Sequence, residues 1–126
     1  MQTPTISSTL PIDTEKVLKS HEHVIIEIVD YIPNTIVSKT IIKNKGGKLS
    51  VVSFDLEEEF CETTSKFDTY VQIIEGKAEI SIDDKHFKLQ LGENIIIPIN
   101  SVHCFKSDSP FKMIVTIIQS LPQKSN

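Results

Sequence analysis

Lys77-Ala78-Glu79-Ile80-Ser81-Ile82-Asp83-Asp84-Lys85-His86-Phe87-Lys88-Leu89-Gln90-Leu91 alternates apolar and polar residues almost without a break. Ala78, Ile80 and Ile82 fall on one face, and Lys77, Glu79 and Ser81 on the other. A period of two marks a strand with one face against a core. Asp83-Asp84 interrupts the pattern where a hairpin turn belongs. The alternation then resumes through Phe87, Leu89 and Leu91 and stops at Gly92-Glu93. This stretch predicts a β-hairpin.

The same grammar extends outward. Thr35 to Lys43 is a β-branched run that ends at the turn signal Asn44-Lys45-Gly46-Gly47. Leu49 to Leu56, Thr69 to Glu75, Ile95 to Ile97, Val102 to Lys106 and Met113 to Ile118 read as further strands. Many short strands with turn residues between them predict an all-β sandwich or barrel. Ahead of them Asp13 is placed to cap a short helix and Ser20 a second one near His21. Val24 to Val29 suits helix or strand. The expected organisation is an N-terminal arm with short helices over 1–30, a barrel over 31–120 and a polar tail over 121–126. No internal repeat or second domain is visible.

Composition narrows the function classes. The chain has 126 residues, 39% hydrophobic and 24% charged, with a formal net charge of −4. There is no arginine, and the thirteen lysines are interspersed with acids. Nucleic-acid binding leans on dense basic patches, so it is not expected. No run approaches the roughly 20 apolar residues that span a bilayer. Cys61 and Cys104 are too few for the usual secreted disulfide scaffold. No signal peptide is visible at the N-terminus. The expectation is a soluble cytoplasmic protein with reduced thiols and no membrane partner.

Gly92-Glu93-Asn94-Ile95-Ile96-Ile97-Pro98-Ile99-Asn100-Ser101-Val102-His103 resembles the second sequence motif of the cupins. Gly92, Pro98 and His103 match that motif in type and spacing. Asn100 stands at its second glycine, and asparagine is the residue next best able to take positive φ. Tyr70 to Gly76 followed by Lys77-Ala78-Glu79-Ile80 resembles the end of the first motif. The stretch from about Ile36 to Ile118 looks like the small single-domain cupins. The resemblance implies an all-β cupin double-stranded β-helix, or jelly-roll barrel, with a short helical N-terminal segment.

The resemblance also implies where a metal would sit, and there the chain departs from the family. Thr63 and Ser65 stand at two histidines of the first motif, Thr69 at its carboxylate, and Glu57 at its opening glycine. His103 alone remains of the ligands. Transition metals want several imidazole, thiolate or carboxylate donors on one ion, so neither a metal nor another cofactor is expected.

The candidate ligand-binding residues are therefore His103, Thr63, Ser65, Thr69 and Cys61. His103 suits acid/base work or hydrogen bonding, or else simple burial beside a hydroxyl. Cys61, two residues before Thr63, shares its face and would add a thiolate, a nucleophile or a small buried hydrophobe. Cys104 should point away from His103 and serve packing. His21-Glu22-His23, His86 and the run Glu57-Glu58-Glu59 read as solvated surface. The function expected is binding of a small molecule, or a non-catalytic module. The alternative is an isomerase- or dioxygenase-like enzyme using His103, with or without Cys61. Thr69 to Glu75 is apolar on both faces, with Tyr70 and Ile74 on one and Val71 and Ile73 on the other. Such a strand is covered twice, which with the family resemblance points to a homodimer.

Overall fold

The period-two segments become strands, and the turn signals between them become their connections. The computed structural model describes residues 12–13, 17–63 and 67–119. The strands are β1 (Ile12–Asp13), β2 (Ile36–Asn44), β3 (Gly47–Phe54), β4 (Glu59–Thr63), β5 (Thr69–Glu75), β6 (Ala78–Ile82), β7 (Lys85–Leu89), β8 (Asn94–Ile97), β9 (Val102–Lys106) and β10 (Phe111–Ile118). They form a six-stranded sheet in the order β1-β2-β3-β10-β5-β8 and a four-stranded sheet in the order β4-β9-β6-β7. Among the described strands only β1 pairs in parallel. Two facing sheets with chain crossings between them make the expected jelly-roll barrel.

The turns show why these boundaries hold. Asp83 and Asp84 both take positive φ, 47° and 74°, as a two-residue hairpin of right-handed twist requires. Asp83 also latches the hairpin to the start of β9. Its N–H donates to the Val102 carbonyl at 2.9 Å, and its Oδ1 accepts from the Val102 N–H at 2.9 Å. Asn100 has φ 62° and Glu57 has φ 60°, so both positions where the family pattern has glycine keep a glycine-like backbone. Gly47 starts β3 where an added Cβ would lie 2.3 Å from the Ile117 carbonyl oxygen. Only a residue without a side chain lets β3 and β10 meet there.

Between the sheets Ile36, Val71, Ile73, Ile80, Ile97 and Phe111 are fully buried. Phe54 stacks on Phe111 at 4.6 Å and tilts against Phe105 at 5.9 Å. These rings fill one end of the barrel. Ser107, fully buried, ties the β3–β4 connection to β9. Its hydroxyl donates to the Asp55 carbonyl at 2.6 Å and accepts from the Glu58 N–H at 2.9 Å.

The N-terminal segment differs from expectation. Ile12 and Asp13 pair alongside Val37 and Ser38 of β2; the helix expected after Asp13 would start on residues 14–16, which lie outside the described residues. Ser20 takes φ 63°, and the only helical turn among the described residues is a 3-10 turn at Ile25–Glu27. β-branched residues dominate this stretch and gain more from packing than from helix formation. Val29 is buried with Val37 and Val51, and Ile25, Ile28, Ile41, Ile74 and Ile114 pack around them. Part of the large sheet's outer face is therefore covered by the chain's own segment. At Ile74 the second cover inferred from the sequence comes from within.

A buried lysine fastens this strap. Lys112 is 7% exposed. Its ammonium donates to the Ile26 carbonyl at 2.5 Å, lies 3.5 Å from Glu75 Oε1, and sits 4.9 Å above the Tyr31 ring. The Tyr31 hydroxyl donates to Glu75 at 2.7 Å. Burial, then that hydrogen bond and the Glu75 charge, push the phenol's titration above its ordinary range. Replacing Lys112 by methionine keeps the length but leaves the Ile26 carbonyl without its donor and Glu75 with the Tyr31 hydroxyl alone. Lys112→Met should lower stability by about 2 kcal/mol in urea unfolding. Amide exchange should quicken most in residues 24–31.

Candidate functional site

Polarity rises along the inner face of the barrel toward one end. On β3 the inward side chains run Phe54, Val52, Ser50 and Lys48. On β10 they run Phe111, Met113, Val115 and Ile117, and Ile117 stands opposite both Lys48 and Thr69. On the smaller sheet Phe60 faces Phe105, and the next inward pair is Glu62 facing His103. A cavity of about 400 Å³ lies between these walls. Its lining is apolar at Ile36, Val52, Phe54, Phe60 and Phe105, and polar at Ser38, Lys48, Ser50, Glu62, Thr69 and His103.

His103 is the centre of the polar part. It is 2% exposed, and its ring meets Phe105 edge-on at 5.3 Å. Its Nε2 lies 3.3 Å from Glu62 Oε2, whose side chain is 53% exposed. An ionised carboxylate only accepts, so Nε2 is the ring nitrogen placed to carry a proton toward Glu62. In the neutral ring Nδ1 then keeps its lone pair. Nδ1 is buried and has no hydrogen-bond partner among the described residues. Lys48 has no ion-pair partner among the described residues. Among the described residues the cavity thus holds a carboxylate engaged by an imidazole and a lysine ammonium with no ion-pair partner.

The sequence candidates separate here. His103 and Thr69 line the cavity. Thr63 is exposed and not in the lining. Ser65 lies outside the described residues. Cys61 is turned to the opposite face of β4, where it forms a disulfide with Cys104 across a Cα–Cα distance of 4.0 Å. This corrects two expectations. Cys61 is no ligand or nucleophile beside His103, and the two cysteines are paired rather than free. The cause is strand parity: Phe60 turns inward, so Glu62 does too and Cys61 does not. Glu62, Lys48 and Ser50 were not anticipated. The available signal was Phe60, the one large apolar side chain of β4, whose burial sets the parity of its neighbours. His86 is exposed, and so are His21 and His23, in keeping with surface roles.

The cupin fold implies a metal centre, and these residues do not fit one. Among the described residues the cavity offers one imidazole and one carboxylate, and they engage each other at 3.3 Å instead of converging on a third point. Among the described residues the only trio of metal-type donors is Glu59, Cys61 and Cys104, on the other face of the sheet. A Zn²⁺-type site takes at least three protein donors.

No known protein-family profile matches the chain. No curated protein matches it either. Solved structures do. A conserved protein of unknown function from Streptococcus pyogenes superposes with a TM-score of 0.78 at 20% identity, covering 92% of this chain and 100% of that one. A cupin superfamily protein from Desulfitobacterium hafniense gives 0.76 at 20% identity, covering 84% and 97%. A cupin 2 conserved barrel domain protein from Leptotrichia buccalis gives 0.71 at 25% identity over 75% of this chain and 46% of that one. No described helix is long and apolar enough to cross a membrane. Barrel topology, motif positions and these superpositions agree that the chain is a small cupin-fold domain.

Proposed function

We propose that this domain binds a small molecule with an apolar body and an acidic group, in a cavity that works without a resident metal. The observation that carries this reading is the graded cavity, apolar at its closed end and polar around His103. Its volume of about 400 Å³ falls in the range typical of small-molecule sites. Phe54, Phe60 and Phe105 would receive the apolar body. Glu62 is already engaged with His103, so the charge left for a ligand is the Lys48 ammonium, which favours an anion.

A matched pair of ligands tests this. 3-Phenylpropionate and 3-phenylpropanol share a body and differ in charge. Calorimetric titration should show the acid binding about tenfold more tightly than the alcohol, the worth of one charge-assisted hydrogen bond. Lys48→Met should abolish that preference, and His103→Ala should weaken both ligands. Binding that neither substitution alters would contradict the reading.

A second reading rests on the Glu62–His103 pair itself. A carboxylate that orients an imidazole is the arrangement of a general acid/base. On this reading His103 would move a proton on a bound substrate, as a metal-independent isomerase would. Turnover of any bound ligand that falls in Glu62→Gln while affinity is kept would favour it.

We also propose that the domain is a homodimer. Tyr70, Ile96, Ile99 and Ile118 form an apolar surface on the large sheet. Ile96 is 61% exposed and Ile118 70%, while the described strap packs instead around Val37, Val51, Ile74 and Ile114. Light scattering at micromolar concentration should give twice the chain mass, and Ile96→Asp with Ile118→Lys should give the monomer.

A further inference from the structure

Glu59 and Cys61 are two residues apart on β4 and so share its outer face. Cys104 stands directly opposite Cys61 on β9. Glu59 Oε2 lies 4.0 Å from Cys61 Sγ. The carboxylate and the two sulfurs all lie within 4.8 Å of one another. This cluster is separated from the cavity by the sheet, since Phe60, Glu62, His103 and Phe105 occupy the other face.

As a disulfide the sulfurs are held by each other. A dithiol reductant changes that: two electrons and two protons pass to the pair, giving two thiols and the reductant's cyclic disulfide. We propose that in this reduced state Cys61, Cys104 and Glu59 bind one Zn²⁺ ion. Two thiol protons leave to solvent, two Zn–S bonds and one Zn–O bond form, and water takes the fourth position.

The geometry supports this. Tetrahedral zinc at about 2.3 Å from each sulfur sets the sulfurs about 3.8 Å apart. Opposed cross-strand side chains reach that separation by rotating about their Cα–Cβ bonds. Among the described strands β4 is an edge strand bonded only to β9, so it can adjust. Two thiolates with one carboxylate suit zinc and not the hard cations Mg²⁺ or Ca²⁺. Lys106 faces Glu59 in the ladder but makes no ion pair with it among the described residues. The carboxylate is free to turn to a metal. Zinc would then take over the disulfide's place as the cross-link between β4 and β9.

The test uses full-length protein reduced with a water-soluble phosphine and desalted without oxygen. The phosphine delivers the same two electrons, leaves as its oxide, and competes little for metal. Zinc titrated against a chromophoric chelator should bind at one equivalent, and the oxidised protein should bind none. Cobalt in place of zinc should show thiolate-to-metal charge-transfer absorption. Cys61→Ser and Cys104→Ser should each weaken binding by about a hundredfold and at least halve that absorption per bound cobalt. Glu59→Gln should weaken it about tenfold and keep the absorption. His103→Ala should leave zinc binding unchanged. If reduced wild-type protein shows no cobalt–thiolate absorption, the proposal is overturned whatever the variants do. It is also overturned if His103→Ala abolishes binding, which would place the metal in the cavity.

Discussion

The five-rung ladder between β4 and β9 decides what this barrel can do. Glu59 faces Lys106, Phe60 faces Phe105, Cys61 faces Cys104, Glu62 faces His103 and Thr63 faces Val102. Side chains alternate across a sheet, so one register sends Phe60, Glu62, His103 and Phe105 to the cavity and Glu59, Cys61 and Cys104 outward. A slip of one residue would exchange the sets. The aromatic residues favour the observed register by burial. The disulfide adds a covalent constraint on the same rung spacing, one step from the Glu62–His103 contact. An edge strand with a neighbour on one side only would otherwise be among the easier parts of a sheet to release.

Much of the fold is legible without coordinates. The Lys77–Leu91 alternation becomes the β6–β7 hairpin, with its turn at Asp83 and Asp84. Asn100 carries the positive φ expected of it. The less legible parts are places where tertiary contacts outweigh local pattern. Val24 to Val29 is apolar in both a helical and a strand reading. It becomes a strap because Val37, Val51 and Ile114 offer it a surface.

The site is less legible than the fold, for a reason of parity. The family pattern aligns Thr63 and Ser65 with metal ligands, but in this chain the turn at Glu57 is followed by Phe60 pointing inward. Glu62, the residue between the cysteine and the threonine singled out from the sequence, is the one beside His103. Cys61 and Cys104 are separated by 43 positions in sequence, and their pairing depends on a register that composition does not encode. The cavity of this cupin fold is lined by an imidazole facing a carboxylate and by an ammonium.

The β4–β9 register is open to one direct measurement. Purified protein is treated with a mild thiol oxidant, digested without reduction, and its peptides are identified by mass spectrometry. The register described here predicts a single intramolecular cross-link joining the Cys61 peptide to the Cys104 peptide. Two thiols that stay separate, or that join only between molecules, would place Cys61 and Cys104 on different faces or rungs. That result would remove Glu62 from His103 and contradict the site built on their contact.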